Sequence, residues 1–187
     1  MGRLRWLIIA ALSVAVVAST GAAQQTVTLD RILAIVDGQI IMHSDVRAFI
    51  DLRLVDLPAG PSQEVDVLTF LIERRVMIDQ VDRFVVAEPA PDLVDRRIDL
   101  IRSRLPGGAA ELDVILDRVG FASDALRQLV ADDIRRDAYL ADRFDVVAVG
   151  LRETAVTDWV ADLVRRAQVR RVSSGASLPG RPESTRP

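Results

Sequence analysis

Ile32-Leu33-Ala34-Ile35-Val36-Asp37-Gly38-Gln39-Ile40-Ile41-Met42-His43-Ser44-Asp45 is the stretch from which the fold can be worked out. Two β-prone apolar runs flank Asp37-Gly38, and both turn positions of a type I′ hairpin need the positive φ that Asp and Gly tolerate. The stretch therefore predicts two antiparallel strands. Apolar residues at successive positions imply that both faces of the hairpin are covered. Two strands alone are marginal, so other elements must pack on them. Ser44-Asp45 predicts a helix start, because the Ser hydroxyl can accept from a first-turn amide and Asp45 complements the helix dipole.

Working outward, that helix should run to about Val55 and stop at the rigid turn Leu57-Pro58-Ala59-Gly60-Pro61. From Ser62 to about Arg83, Val65, Leu68, Leu71, Ile72, Val76 and Ile78 recur mostly at three and four, with Glu73, Arg74, Arg75 and Asp79 between them. This is the pattern of a long amphipathic helix. Pro89 and Pro91 end the connection, a helix follows over 92–105, and Pro106-Gly107-Gly108 closes it. A short helix covers about 109–119 and has Gly120 as its left-handed cap. Ser123 opens a helix to about Arg143. A break near Phe144 to Gly150 precedes a last helix, about Arg152 to Ala167, and Gln168 to Val172 is a candidate strand. The expected fold is mainly α: about six helices around a small sheet formed by the N-terminal hairpin and the C-terminal strand.

The start of the chain reads as an address. Arg3 and Arg5 precede an apolar run from Trp6 to Val17, and small residues lead to Ala22-Ala23. Charged, apolar and small residues in that order predict a signal peptide over 1–23, cleaved after Ala23. An uncleaved anchor is the alternative, but about a dozen apolar residues fall short of the roughly 20 of a spanning helix. Without residues 1–23, 22 basic residues face 27 acidic ones, a net charge near −5. An acidic chain argues against nucleic acid as a partner, since binding neutralises phosphates. There is no cysteine, so an exported chain of this kind must be held by its core alone. Residues 29–172 suffice for one such domain. The Ser-, Gly-, Pro- and Arg-rich segment 173–187 reads as a disordered tail.

Groups for catalysis are sparse. His43 is the single histidine, at the junction of the second strand and Ser44, which excludes a histidine metal cluster or relay. Asp92, Asp95 and Asp99, and likewise Asp132, Asp133 and Asp137, are interleaved with arginines. Asp92 with Arg96, and Asp132 with Arg136, have the spacing of weak pairs on a solvated helix face. Gly107-Gly108 follows a helix, so it is not a phosphate loop. No catalytic residue, cofactor or metal site is expected.

Leu29 to Val46 resembles the opening of the SurA N-terminal chaperone family, a hairpin running into a capped helix. Val67-Leu68-Thr69-Phe70-Leu71-Ile72-Glu73-Arg74 is similar to that family's second helix. Gly120-Phe121 with Leu126-Arg127 and Ile134-Arg135 is similar to a later one, and Trp159 to Ala167 to its closing helix. The resemblance covers nearly all of 29–172. The family places one or two parvulin-type prolyl isomerase domains before the closing helix. Only about Phe144 to Gly150 lies there in this chain, so isomerase activity is not carried over.

The resemblance implies a periplasmic chaperone core that holds unfolded exported or outer-membrane polypeptides without catalysis. Large apolar candidates for client contact are Phe70, Met77, Phe121 and Trp159, although each also fits a core pattern. A scaffold subunit holding one folded cell-envelope partner is the alternative, and a minimal isomerase a third. Membrane spanning after signal cleavage is not expected. The sequence leaves clients, binding face and oligomeric state open.

Overall fold

The computed structural model describes residues 30–172 other than Val85. The segments read as signal peptide (1–23) and tail (173–187) lie outside the described residues.

The hairpin forms as its turn dictates. Strands β1 (Ile32–Val36) and β2 (Gln39–Met42) are antiparallel, with Val36 opposite Gln39. The two turn residues take positive φ, 47° at Asp37 and 85° at Gly38. An irregularity between Ile32 and Ala34 bends β1. The C-terminal strand β3 (Val169–Arg171) pairs antiparallel with the other side of β1, giving the order β2-β1-β3. Asp37 fastens this junction: its N–H donates to the Gln168 carbonyl (3.2 Å), and its carboxylate accepts from the Gln168 N–H (2.8 Å). The two ends of the domain are thus joined in one sheet.

Six helices complete the described residues: α1 (His43–Asp51), α2 (Gln63–Val81), α3 (Pro91–Arg104), α4 (Gly108–Val119), α5 (Ser123–Arg143) and α6 (Val149–Arg166). The fold is mainly α with a small antiparallel sheet. Helix α2 is the hub, packing on β1, α1, α5 and α6. Its buried residues, among them Val67, Leu71, Ile72, Val76, Met77, Ile78 and Val81, spread around the helix. A helix with neighbours on several sides needs an apolar surface wider than one stripe. Helices α3 and α4 pack on each other, α3 also against α5 and α4 against α1. No helix among the described residues is long and apolar enough to cross a membrane.

Several expectations need correction. The hairpin is not covered evenly on both faces. Ala34, Val36 and Ile41 are buried, but Ile40 is 49% exposed and Ile35 only partly buried. The helical packing on the sheet comes chiefly from α2, which covers one face. Nor does Ser44 cap α1 with its hydroxyl. The helix begins at His43, and Asp45 accepts from the Met42 N–H at 2.8 Å. The Ser44 hydroxyl instead donates to Asp30, whose carboxylate also accepts from the Ser44 N–H (3.1 Å). Asp30 thus brings a negative charge to the α1 N-terminus from 14 residues away.

Helix α1 also ends earlier than its apolar pattern suggests. Arg53 takes φ 51°, and the Leu54 N–H reaches back to the Phe49 carbonyl (3.0 Å), the closure usually made with glycine. An arginine in this left-handed conformation costs about 1–2 kcal/mol. Gly120 ends α4 at φ 69°, as its position predicts. Pro91 opens α3 at a position where its missing N–H costs nothing. Helix α6 starts at Val149, before the expected Arg152, and carries Gly150 in its first turn.

Candidate functional site

The four apolar candidates fall into different surroundings. Met77 is a core residue, 9% exposed. Phe70 is partly buried, its ring 5.9 Å from that of Phe49. Phe121 is partly buried and follows the left-handed turn at Gly120. Trp159 is partly buried within a separate aromatic cluster. The four do not form one surface. Phe121 lines one recess, and the Trp159 ring lies 6.0 Å from that of Tyr139, which lines another.

The first recess is a groove of about 250 Å³ between β2, α1, α2 and the start of α5. Ile40, Ile41, Phe49, Leu71, Phe121 and Leu129 give it apolar walls, and Asp45, Arg74, Arg75 and Asp132 give it charge. Strand β2 is an edge of the sheet, and in a two-residue hairpin the residue after the first pair directs its N–H and C=O away from the partner strand. That residue is Ile40. Arg74 is nearly buried and held three ways: to Asp133 (2.8 Å), to the Leu129 carbonyl (3.0 Å), and over the Phe49 ring (5.9 Å). Burial raises the Asp45 carboxyl above its ordinary value, although the Met42 N–H opposes this.

The second recess, about 380 Å³, lies where Phe84 and Val86 face Ala138, Tyr139 and Asp142 of α5. Beside it the aromatic rings form a chain: Phe84 to Tyr139 (5.3 Å), Tyr139 to Trp159 (6.0 Å), Trp159 to Phe144 (5.8 Å). The Arg143 guanidinium lies over Trp159 (5.2 Å) and Phe144 (5.8 Å). Phe84 is 48% exposed. The connection from α5 to α6 and the first turn of α6 project further apolar side chains, with Val146 93%, Val149 85% and Leu151 64% exposed. By sequence these residues are only a break between helices. The signal was present in the run Val146-Val147-Ala148-Val149-Gly150-Leu151, apolar where a surface connection is normally polar.

The ionisable groups are arranged as structural pairs. His43 lies 3.7 Å from Glu64. Asp92 pairs with Arg96 (2.5 Å) as its spacing predicts. The expected Asp132–Arg136 pair is replaced: Arg136 meets Asp133 (2.8 Å) and Asp137 (2.7 Å), and Arg135 takes Asp132 (3.5 Å) together with Asp82 (3.0 Å). Asp133 of α5 thus reaches Arg74 of α2, Arg135 reaches Asp82 just after α2, and Asp137 lies 3.7 Å from Arg97 of α3, so these charges do not face solvent alone. For Asp30, burial pushes upward, but the hydrogen bonds from Ser44 and Arg31 prevail and hold the carboxyl below its ordinary value. Among the described residues no group of His, Cys, Asp and Glu could hold a metal ion. Neither the protein-family models nor the curated proteins compared with this chain match it.

Proposed function

We propose that the chain is an exported, non-catalytic holding chaperone that binds unfolded exported or outer-membrane polypeptides through apolar surface. One observation carries the reading: the apolar side chains of Val146, Val149 and Leu151 stand in solvent on the segment that follows Phe144, the end of an aromatic chain that starts at half-exposed Phe84 and passes through Tyr139 and Trp159. Large apolar side chains concentrated in solvent on one segment mark an interaction site. The resemblance of 29–172 to the SurA N-terminal family supports the same reading.

The energetics suit a transient holder. A patch of about 400 Å² at about 25 cal/mol per Å² gives roughly 10 kcal/mol gross, and association costs of about 4–15 kcal/mol consume much of it. At most about 6 kcal/mol is left, an affinity of tens of micromolar at best, so clients leave readily. The test is light scattering of a denatured β-barrel membrane protein diluted with and without the chain lacking residues 1–23. Suppression near stoichiometry is expected. No suppression at excess overturns the reading and favours a scaffold holding one folded partner.

A further inference from the structure

A larger cavity lies apart from both recesses. It measures about 730 Å³ and lies between the end of α1, the connection to α2 and the C-terminus of α3. That volume is in the range of small-molecule sites, roughly 300–1,000 Å³. Leu54, Val55, Leu57 and Val67 give it apolar walls. Two guanidinium groups, those of Arg53 and Arg104, line it as well.

Arg53 Nη1 donates to the main-chain carbonyl of Arg104 at 3.4 Å, which holds the Arg53 side chain at the C-terminal end of α3, beside the residue that brings the second arginine to the cavity. Among the described residues neither has an ion-pair partner, whereas many of the other arginines do. Asp56 also lines the cavity, which leaves a net charge of one positive unit, and Gln63 adds a neutral amide. Arg53 moreover occupies a backbone conformation, φ 51°, that glycine would adopt freely. Its side chain sits where it does at a backbone cost. Two cations that pair with no carboxylate, Asp56 included, beside an apolar wall, are complementary to an anion that carries an apolar tail. Between anions, the planar guanidinium fork matches a carboxylate in two-point contact.

We propose that this cavity binds a small amphiphilic carboxylate, its head between Arg53 and Arg104 and its tail against Leu54, Val55, Leu57 and Val67. The site lies apart from the proposed client surface and stands whether or not that reading does.

The probes are octanoate, octylammonium and octanol, titrated calorimetrically into the full chain. Saturable one-to-one binding of octanoate is expected, with octylammonium and octanol at least about tenfold weaker, since a charge-assisted hydrogen bond contributes about a factor of ten or more. Arg104→Gln and Arg53→Gly should each weaken octanoate about tenfold or more. Arg53→Gly also separates binding from folding: glycine suits the backbone there, so this variant should melt no lower than the parent while losing the ligand. Equal binding of octylammonium, unchanged octanoate affinity in both variants, or no saturable octanoate binding overturns the assignment.

Discussion

Nε of Arg74 on α2 lies 2.8 Å from Oδ1 of Asp133 on α5, joining positions 59 apart in the chain. Arg74 is the one charged residue among the buried positions described, while Asp133 keeps about a fifth of its side chain exposed (20%). Asp133 also accepts from Arg136 at 2.8 Å, so one carboxylate compensates two cations. Asp133→Ala should therefore destabilise the domain more than a surface ion pair would. We expect about 1–3 kcal/mol in urea unfolding, below the value for a fully buried pair because solvent reaches Asp133. A loss within about 0.5 kcal/mol would mean that water replaces the carboxylate.

The Asp37 clamp on Gln168 predicts where the sheet opens first. Asp37→Ala removes the carboxylate acceptor of the Gln168 N–H and places a worse residue at φ 47°. The expected outcome is a loss of about 1–2 kcal/mol and faster amide exchange at Val172, whose N–H donates to the Leu33 carbonyl (2.8 Å), than at Ile41 in the hairpin. Asp37→Asn, which tolerates positive φ and keeps an acceptor oxygen, should recover most of it. Uniform exchange across all three strands in Asp37→Ala would place β3 and the hairpin in one cooperative unit.

These two contacts show what the sequence discloses and what it does not. The Asp37-Gly38 hairpin, the Gly120 cap and the span Ser123–Arg143 are written in local chemistry, where one residue type solves one backbone problem. The partnership of Arg74 with Asp133 depends on how two helices meet, and both residues fit the charge pattern of an ordinary solvated face. Arg53 hides the end of α1 for a related reason: nothing in an arginine announces φ 51°. The exposed run at Val146 to Leu151 was readable as composition, but only the packing shows which of its side chains are left outside. The groove at Phe121 combines residues of four elements, so no local pattern could outline it.

Glu73 gives a pH dependence with a definite sign. Burial raises its carboxyl above the ordinary value of 4.5, and attraction to Arg171 only partly opposes this. An acid whose folded value is raised binds more protons in the folded state, so the stability it costs appears as pH rises through the folded value. Glu73→Gln should then be more stable than the parent at neutral pH. The difference should shrink as pH falls and vanish below 4.5. A variant less stable than the parent at neutral pH would mean that the Arg171 attraction outweighs burial.

The two apolar recesses can be told apart by substitution and by fluorescence. Val146 and Val149 are 93% and 85% exposed, so Val146→Asp with Val149→Asp removes apolar surface without opening the core, and the melting temperature should hardly change. Ile40→Asp does the same at the edge of the groove, where 49% of the residue is exposed. If clients are held at the α5–α6 connection, the double variant loses most of its suppression of aggregation and Ile40→Asp keeps it. Trp159 reports on the same surface directly. The only other tryptophan is Trp6, absent from the chain that lacks residues 1–23. A tryptophan-free client peptide seated beside Phe84 and Tyr139 should therefore shift the emission of Trp159, 6.0 Å from Tyr139. Suppression retained by the double variant and lost in Ile40→Asp, with Trp159 emission unmoved, would transfer the client site to the groove at Phe121.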